Sequence, residues 1–402
     1  MEVETELENM KDREGGAELV LNLQPSSSIS IGYHSSFGPH DDLILLELDE
    51  KLLPDFLHER VTLRGQPNED AVLCTTSKTY AVKFVGNSNS VFLIPPLDLF
   101  PSCGSTQEYE ETSSKDLKVA SIIKVAPGNM ELVEVAPKLD KLKLLLSQNP
   151  YNFGDSSEME GIEGDDRTDA NLYRWEDLVD RIQASDMELR SGLNAIFAVE
   201  INGYWRTLDE NYKDGILNML LHNSVLNDWS LNSLYEDEVV AVLVADGYPS
   251  EIARHCLRMF GSKVNEGVGP SCWRLDERCV CLHFARRILG AGKMKLEAFM
   301  DEWVNKVPSG MHATFDMLEG EILSEKQGIE TWIHAFSVSS LPSTPAERFS
   351  LLFHKKPKWE WKDLHPYVRD LKVPGLSSDA LLLKYTRRTQ PTLDAEPIFT
   401  AR

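Results

Sequence analysis

Cys272, Cys279, Cys281 and His283 are the residues of this 402-residue chain whose types most resemble metal ligands. Thiolates and imidazoles hold zinc when four of them converge tetrahedrally. The last three fall in an apolar stretch with Val280, Leu282, Phe284 and Ile288, which reads as a helix. A spacing of two on a helix turns side chains roughly 200° apart, so these three cannot meet on one ion. They read instead as buried cysteines packing as small hydrophobes, and no metal or other cofactor is expected. Gly290-Ala291-Gly292-Lys293 is too short to cradle phosphates as a Gly-x-x-x-x-Gly-Lys-Ser/Thr loop does. Neither His-Glu-x-x-His nor Gly-x-Ser-x-Gly occurs, and the carboxylates are scattered. No catalytic residue is expected, and the chain does not read as an enzyme.

The basic residues near the C-terminus are more specific. The whole chain carries a net charge of −23. From Pro345 to Arg402, however, eleven Lys and Arg stand against seven Asp and Glu, a net of +4, which leaves −27 on residues 1–344. Lys384, Arg387 and Arg388 are spaced i, i+3, i+4 and would share one helix face. Lys355, Lys356 and Lys358 crowd a loop beside Trp359 and Trp361, and Arg369 and Lys372 end the next helix. A duplex reader places base-contacting side chains at the start of its second helix. Here that start is Ser377-Ser378-Asp379, so phosphate contact without base readout is expected from these eight cations.

The elements that would position them are signalled by a repeated phrase. Gly203-Tyr-Trp-Arg-Thr-Leu-Asp209 returns 68 residues later as Ser271-Cys-Trp-Arg-Leu-Asp276. In both places an amphipathic helical stretch precedes it and an apolar one follows, the order of a winged helix used more than once. Both indoles would lie buried at wing bases. Ser185-Asp-Met-Glu188 is a capping box opening a helix with Leu189, Leu193, Ile196 and Phe197 on its buried stripe. Thr344-Pro345-Ala-Glu347 is a second such start. Second helices and wings are expected near 185–209, 249–276, 309–337 and 377–400.

Between Leu19 and Val135 the pattern is β. The runs are 43–48, 61–64, 71–74, 80–85, 91–94, 122–125 and 132–135, with turns at Gly65-Gln-Pro67, Gly86-Asn-Ser-Asn89, Pro95-Pro96 and Pro127-Gly-Asn129. That spacing suggests a sandwich or barrel. Leu43–Leu46 and Val91–Ile94 are apolar on both faces, so they sit centrally or the sheet is completed by another chain. Residues 1–18 are acidic, and 152–171 carries seven acids and three glycines, a composition that cannot offset its ordering entropy. No apolar run approaches the ~18 residues of a membrane span. Six irregularly placed cysteines and the absence of an Asn-x-Ser/Thr sequon suggest reduced thiols inside the cell.

The sequence resembles the sister-chromatid-cohesion (Dcc) subunit family of the alternative replication factor C clamp loader. The resemblance runs from about Leu43 to Tyr385, through Leu45–Leu48, Ala71–Cys74 with Lys78-Thr79-Tyr80, Pro137–Lys143 to Asn149-Pro150-Tyr151, and Ile182–Ser185. It continues through Gly203–Arg206, His255-Cys256-Leu257, Val307–Met311, Arg348-Phe349 with Leu352-Phe353, and Pro366-Tyr367 with Asp370-Leu371. It implies an α+β fold in which an antiparallel β-barrel-like domain (19–136) is completed by two partners, the large ATPase subunit and a small third subunit. A helix (137–151) and the acidic linker (152–171) would follow, then tandem winged-helix units at 172–212, 213–277, 278–341 and 342–390 and a tail at 391–402. The family description has three such units where the residues suggest up to four. The resemblance further implies a nuclear, non-catalytic subunit touching DNA without sequence preference, meeting DNA polymerase epsilon, and loading or unloading the sliding clamp. No membrane contact is expected. The alternative is a winged-helix scaffold making protein contacts alone, which the −27 body favours and the +4 tip opposes.

Overall fold

Segregated β-branched runs and helical periodicities give a mixed α+β protein. The computed structural model describes residues 30–94, 119–157, 171–264, 269–390, 392 and 395–402. The chain divides into two compact units, Met1–Leu53 with Val82–Val133, and Pro54–Ala81 with Glu134–Arg402. The acidic stretch 1–18 and most of 158–171 lie outside the described residues. The start of the expected linker is a short helix, Phe153–Ser157, whose Asp155 lies 3.0 Å from the Arg206 guanidinium.

The N-terminal β stretch forms β1 (Ser30–Tyr33), β2 (Thr62–Arg64), β3 (Val72–Cys74), β4 (Thr79–Leu93), β5 (Val119–Ile122) and β6 (Lys124–Glu134). In the smaller unit β1 and β5 pair in parallel, with Tyr33 opposite Ile122. β4 and β6 are hydrogen-bonded neighbours. Two expected turns are strand instead. Gly86–Asn89 lies inside β4, and Pro127–Asn129 inside β6. A Cβ on Gly128 would sit 2.2 Å from the Val85 carbonyl oxygen, so the two backbones meet where glycine alone fits. Leu43–Leu48 is not a strand. Only Leu46 bridges, to Met130, with Glu47 N donating to Met130 O at 2.9 Å. The sheets are not closed into a barrel among the described residues, and the β1–β5 pair is parallel where antiparallel pairing was expected.

The larger unit begins with β2, β3 and the first residues of β4 as an antiparallel meander, Leu63 opposite Leu73 and Leu73 opposite Tyr80. Helices Asp140–Ser147, Trp175–Arg181 and Asp186–Ala195 close around Leu142, Leu178, Ile182, Leu189 and Leu193. The Ser185 capping box is complete. Its hydroxyl accepts from Glu188 N at 3.2 Å, and Glu188 Oε2 accepts from Ser185 N at 2.9 Å. The helix stops sooner than its apolar stripe suggested. Phe197 has φ +51° and is 43% exposed, so the stripe ends at the half-buried Ile196. A two-stranded hairpin follows, β7 (Val199–Ile201) and β8 (Tyr204–Arg206).

One topology then recurs three times among the described residues. A helix is followed by a short strand, further helix, and a hairpin whose last strand is central in a three-stranded sheet. The first set is Glu210–Leu226, β9 (Leu234–Tyr235), Glu236–Ala245, Ser250–Phe260, β10 (Gly261–Lys263) and β11 (Cys272–Leu275), in sheet order β10-β11-β9. The second is Glu277–Leu289, β12 (Met294–Lys295), Leu296–Lys306, β13 (Ile322–Gln327) and β14 (Glu330–Ala335), in order β12-β14-β13. The third is Pro345–Lys355, β15 (Lys358–Glu360), Trp361–Leu364, Ser378–Tyr385, β16 (Thr386–Thr389) and β17 (Ile398–Ala401), in order β15-β17-β16. The helix expected in 309–337 is only the short 3-10 helix Phe315–Leu318, which follows Gly310 at φ +92° and precedes β13. The expected tail at 391–402 contains β17, the central strand of the last sheet.

The repeated phrase has a physical reason. Each copy is a strand running into a helix cap. Asp209 accepts from Asn211 N at 2.8 Å and opens Glu210–Leu226, and Asp276 accepts from Cys279 N at 2.8 Å and opens Glu277–Leu289. The indoles differ. Trp273 is 6% exposed and donates to Glu236 at 2.9 Å, whereas Trp205 is half-buried and its Nε1 has no partner among the described residues.

Candidate nucleic-acid interface

The last helix–sheet set carries all eight predicted cations. Its core is Phe349, Leu352, Trp359, Leu364, Tyr367, Leu381, Leu382 and Phe399. Arg348, 4% exposed, fastens it internally, donating to Pro342 O at 2.6 Å and Tyr367 O at 3.2 Å and pairing with Asp370. The Thr344 start departs from the expected cap. Its hydroxyl donates to the Glu347 carboxylate instead of accepting an amide.

The expected single helix face of Lys384, Arg387 and Arg388 is not formed. The helix ends at Tyr385. Thr386 turns extended, with φ −130° and ψ 160°, and its buried hydroxyl donates to Leu382 O at 2.7 Å, satisfying a terminal carbonyl. Thr386–Thr389 then pairs antiparallel with Ile398–Ala401. Arg387 and Arg388 are therefore neighbours on a strand and point to opposite faces. Arg387 lies opposite Thr400, and Thr400 lies opposite Lys358 of β15, so Lys358 and Arg387 flank one threonine on the outer face. Arg388 lies opposite the buried Phe399, on the edge strand. Threonine on both sides of the arginine pair, and the Ile398-Phe-Thr-Ala401 run, were the strand signals; helical spacing masked them.

The other cations are dispersed. Lys355 is exposed in the last turn of its helix. Lys356 caps that helix, pairs with Asp363 at 2.7 Å and lies over the Trp359 ring at 5.2 Å. Arg369 is 3.7 Å from Glu319, and Lys384 sits over Tyr385 at 5.4 Å. Lys355, Lys358, Lys372, Lys384, Arg387 and Arg388 are exposed and form no ion pair among the described residues. The helix Ser378–Tyr385 opens on Ser378 and Asp379, and its cation Lys384 lies in its last turn.

The cysteine–histidine stretch is helical as its pattern predicted. Burial pushes the Cys279 and Cys281 thiols up to about 11, away from thiolate chemistry. Burial also lowers the His283 pKa, opposed by Asp214 at 3.0 Å. Among the described residues no three His, Cys, Asp or Glu side chains are placed to hold a metal ion. Gly290 caps the helix that ends at Leu289, Gly292 has φ +115°, and Lys293 pairs with Glu325, so this short Gly-x-Gly-Lys is a helix-ending turn.

Compared with known proteins, residues 43–368 match the family model described as sister chromatid cohesion protein Dcc1. The match stops before Arg369, so Arg369, Lys372, Lys384, Arg387 and Arg388 lie beyond it. The chain is 33% identical to sister chromatid cohesion protein DCC1 of Xenopus tropicalis over 351 residues, covering 86% of each chain. It is 32% identical to the Homo sapiens protein of that name, covering 89% of this chain and 88% of the relative. The Saccharomyces cerevisiae counterpart is 23% identical over 93% of this chain and all of the relative. All three relatives are named for cohesion, none for an enzymatic activity.

Proposed function

We propose that this chain, which belongs to the sister chromatid cohesion protein Dcc1 family, is a non-catalytic accessory subunit of an alternative replication factor C clamp loader. It would act in the nucleus to load or unload the sliding clamp, meet DNA polymerase epsilon and support cohesion. The three recurring helix–strand–helix–hairpin sets are read as tandem winged helices, with Trp175–Arg206 as an abbreviated first unit. The last set would touch DNA backbones without reading sequence.

One observation carries the partner reading. The smaller unit exposes Ile31 at 56%, Tyr33 at 74%, Ile44 at 68% and Phe84 at 57%, in and beside its strands. Open strands bearing large apolar side chains are a liability unless other strands cover them. Completion by the large ATPase subunit and the small third subunit would cover them. Expressed alone, residues 1–150 should be insoluble, and co-expression with those two partners should make them soluble. A monodisperse, cooperatively melting 1–150 would contradict the shared-sheet reading. A scaffold making protein contacts alone is the second reading, favoured by the −27 charge of residues 1–344.

A further inference from the structure

Thr344-Pro345 is the only Ser/Thr-Pro dipeptide in the sequence. Ser343, Thr344, Ala346 and Glu347 are all exposed. Thr344 is extended, with φ −74° and ψ 126°, as the residue before proline must be. Other caps are occupied: the side chains of Ser185, Asp209, Asp276 and Ser377 each accept a helix amide. The Thr344 hydroxyl accepts none and donates outward to Glu347. The turn around it is weakly held. Pro345 has no N–H, and the first intrahelical bond is Arg348 N to Thr344 O at 3.0 Å. An extended 343–347 is reached by opening this turn and releasing the Ser343 contact to Asp140.

From the dipeptide, its exposure and a hydroxyl that caps no helix amide, we infer that Thr344 is a phosphorylation site for a proline-directed serine/threonine kinase, and that its phosphate loosens the segment leading into the last helix–sheet set. In the transfer, Thr344 Oγ1 bonds to the γ-phosphorus of a nucleoside triphosphate. The bond from that phosphorus to the leaving diphosphate breaks, and the hydroxyl proton passes to the kinase base. The product brings nearly two negative charges and loses the donor that held Glu347. It also stands next to Ser343, whose amide donates to Asp140 Oδ2 at 2.8 Å and whose hydroxyl donates to the same oxygen. With Lys143 Nζ donating to Ser339 O at 3.4 Å, this contact ties the 338–344 segment to the Asp140–Ser147 helix. A phosphate among Glu347 and Asp140 repels both carboxylates, while the helix N-terminus attracts it. The helix start persists, and the tie to Asp140 gives way.

The site does not depend on the clamp-loader reading. Full-length chain incubated with ATP and a proline-directed kinase should gain a single phosphate, mapped to Thr344 by peptide mass spectrometry. Incorporation should be lost in Thr344→Val and strongly slowed in Pro345→Ala. Hydrogen exchange should quicken in 338–344 and in 140–147 once the phosphate is on. Modification of the denatured but not the folded chain, or unchanged labelling of Pro345→Ala, would overturn the site. Unchanged exchange after complete phosphorylation would overturn the loosening.

Discussion

Three buried arginines hold this chain together at joints between distant segments. Arg206 donates to Asn149 Oδ1 at 2.9 Å and Pro150 O at 3.2 Å and lies over the Tyr151 ring. Arg64 reaches Ala184 O and Asp186. Arg348 joins Pro342, Tyr367 and Asp370. The family-like pieces of the sequence thus meet each other: Asn149-Pro150-Tyr151 meets Arg206, and Arg348 meets Asp370. Thr79 accepts from Ser185 N at 2.9 Å and donates to Glu188. Those residues were legible as motifs, but their contacts were not, because spacing along a chain does not report spatial partners. His255 is a further joint, 6% exposed and 2.8 Å from Phe197 O. Burial lowers its pKa from the usual 6.5 to about 4. The unfolded chain therefore binds a proton between those values that the native chain does not, and stability falls as pH drops through that window. Urea midpoints measured from pH 6.5 to 4 should decline, with His283 contributing in the same direction. His255→Gln, which keeps a donor for Phe197 O, should decline less steeply; an equal slope would remove His255 from the account. The two repeated tryptophans should also separate. Trp273→Ala should cost ~3–5 kcal/mol, as core truncations of Trp do. Trp205→Ala should cost clearly less, since that indole is half-buried and its N–H finds no partner among the described residues. Equal losses by thermal melting would mean that Trp205 packs as tightly as Trp273.

At the scale of elements, helices with capping boxes and regular apolar stripes were legible, as Asp186–Ala195 shows. What failed was the choice between helix and strand where short-range spacing fits both. Arg387 and Arg388 match an i, i+3, i+4 helical set with Lys384, yet the pairing with Ile398–Ala401 decides for strand. Likewise Gly86–Asn89 and Pro127–Asn129 carry turn residues but are held extended in the paired strands β4 and β6. The strand geometry changes the expectation for DNA. Lys358 and Arg387 share one face, so they should bind phosphate together, with Arg388 displaced to the other. Each phosphate neutralised adds ~0.9 to the log–log salt slope on duplex DNA. Charge removal at Lys358 and Arg387 together should weaken binding and flatten that slope. Removal at Arg388 alone should do less. A double variant with wild-type affinity and slope would place DNA contact elsewhere.

For the whole molecule, the chain combines an acidic body, a sheet with exposed apolar side chains and a basic final unit. Membership in the cohesion family was legible from the order and spacing of many weak motifs spread over most of the chain. Completion by another chain was legible only as an alternative, and from two apolar runs of which Leu43–Leu46 is not a strand and Val91–Leu93 ends β4; β1 was not legible at all. Ile31, Tyr33, Ile44 and Phe84, exposed in and beside the strands of the smaller unit, support the proposal that other chains finish it. The most direct measurement is affinity purification of the tagged full-length chain from its native cells, with quantification of what accompanies it. The account predicts the large ATPase subunit and the small third subunit of the alternative clamp loader in stoichiometric amounts. Recovery of the chain free of both, or in stoichiometric complex with unrelated proteins, would contradict it.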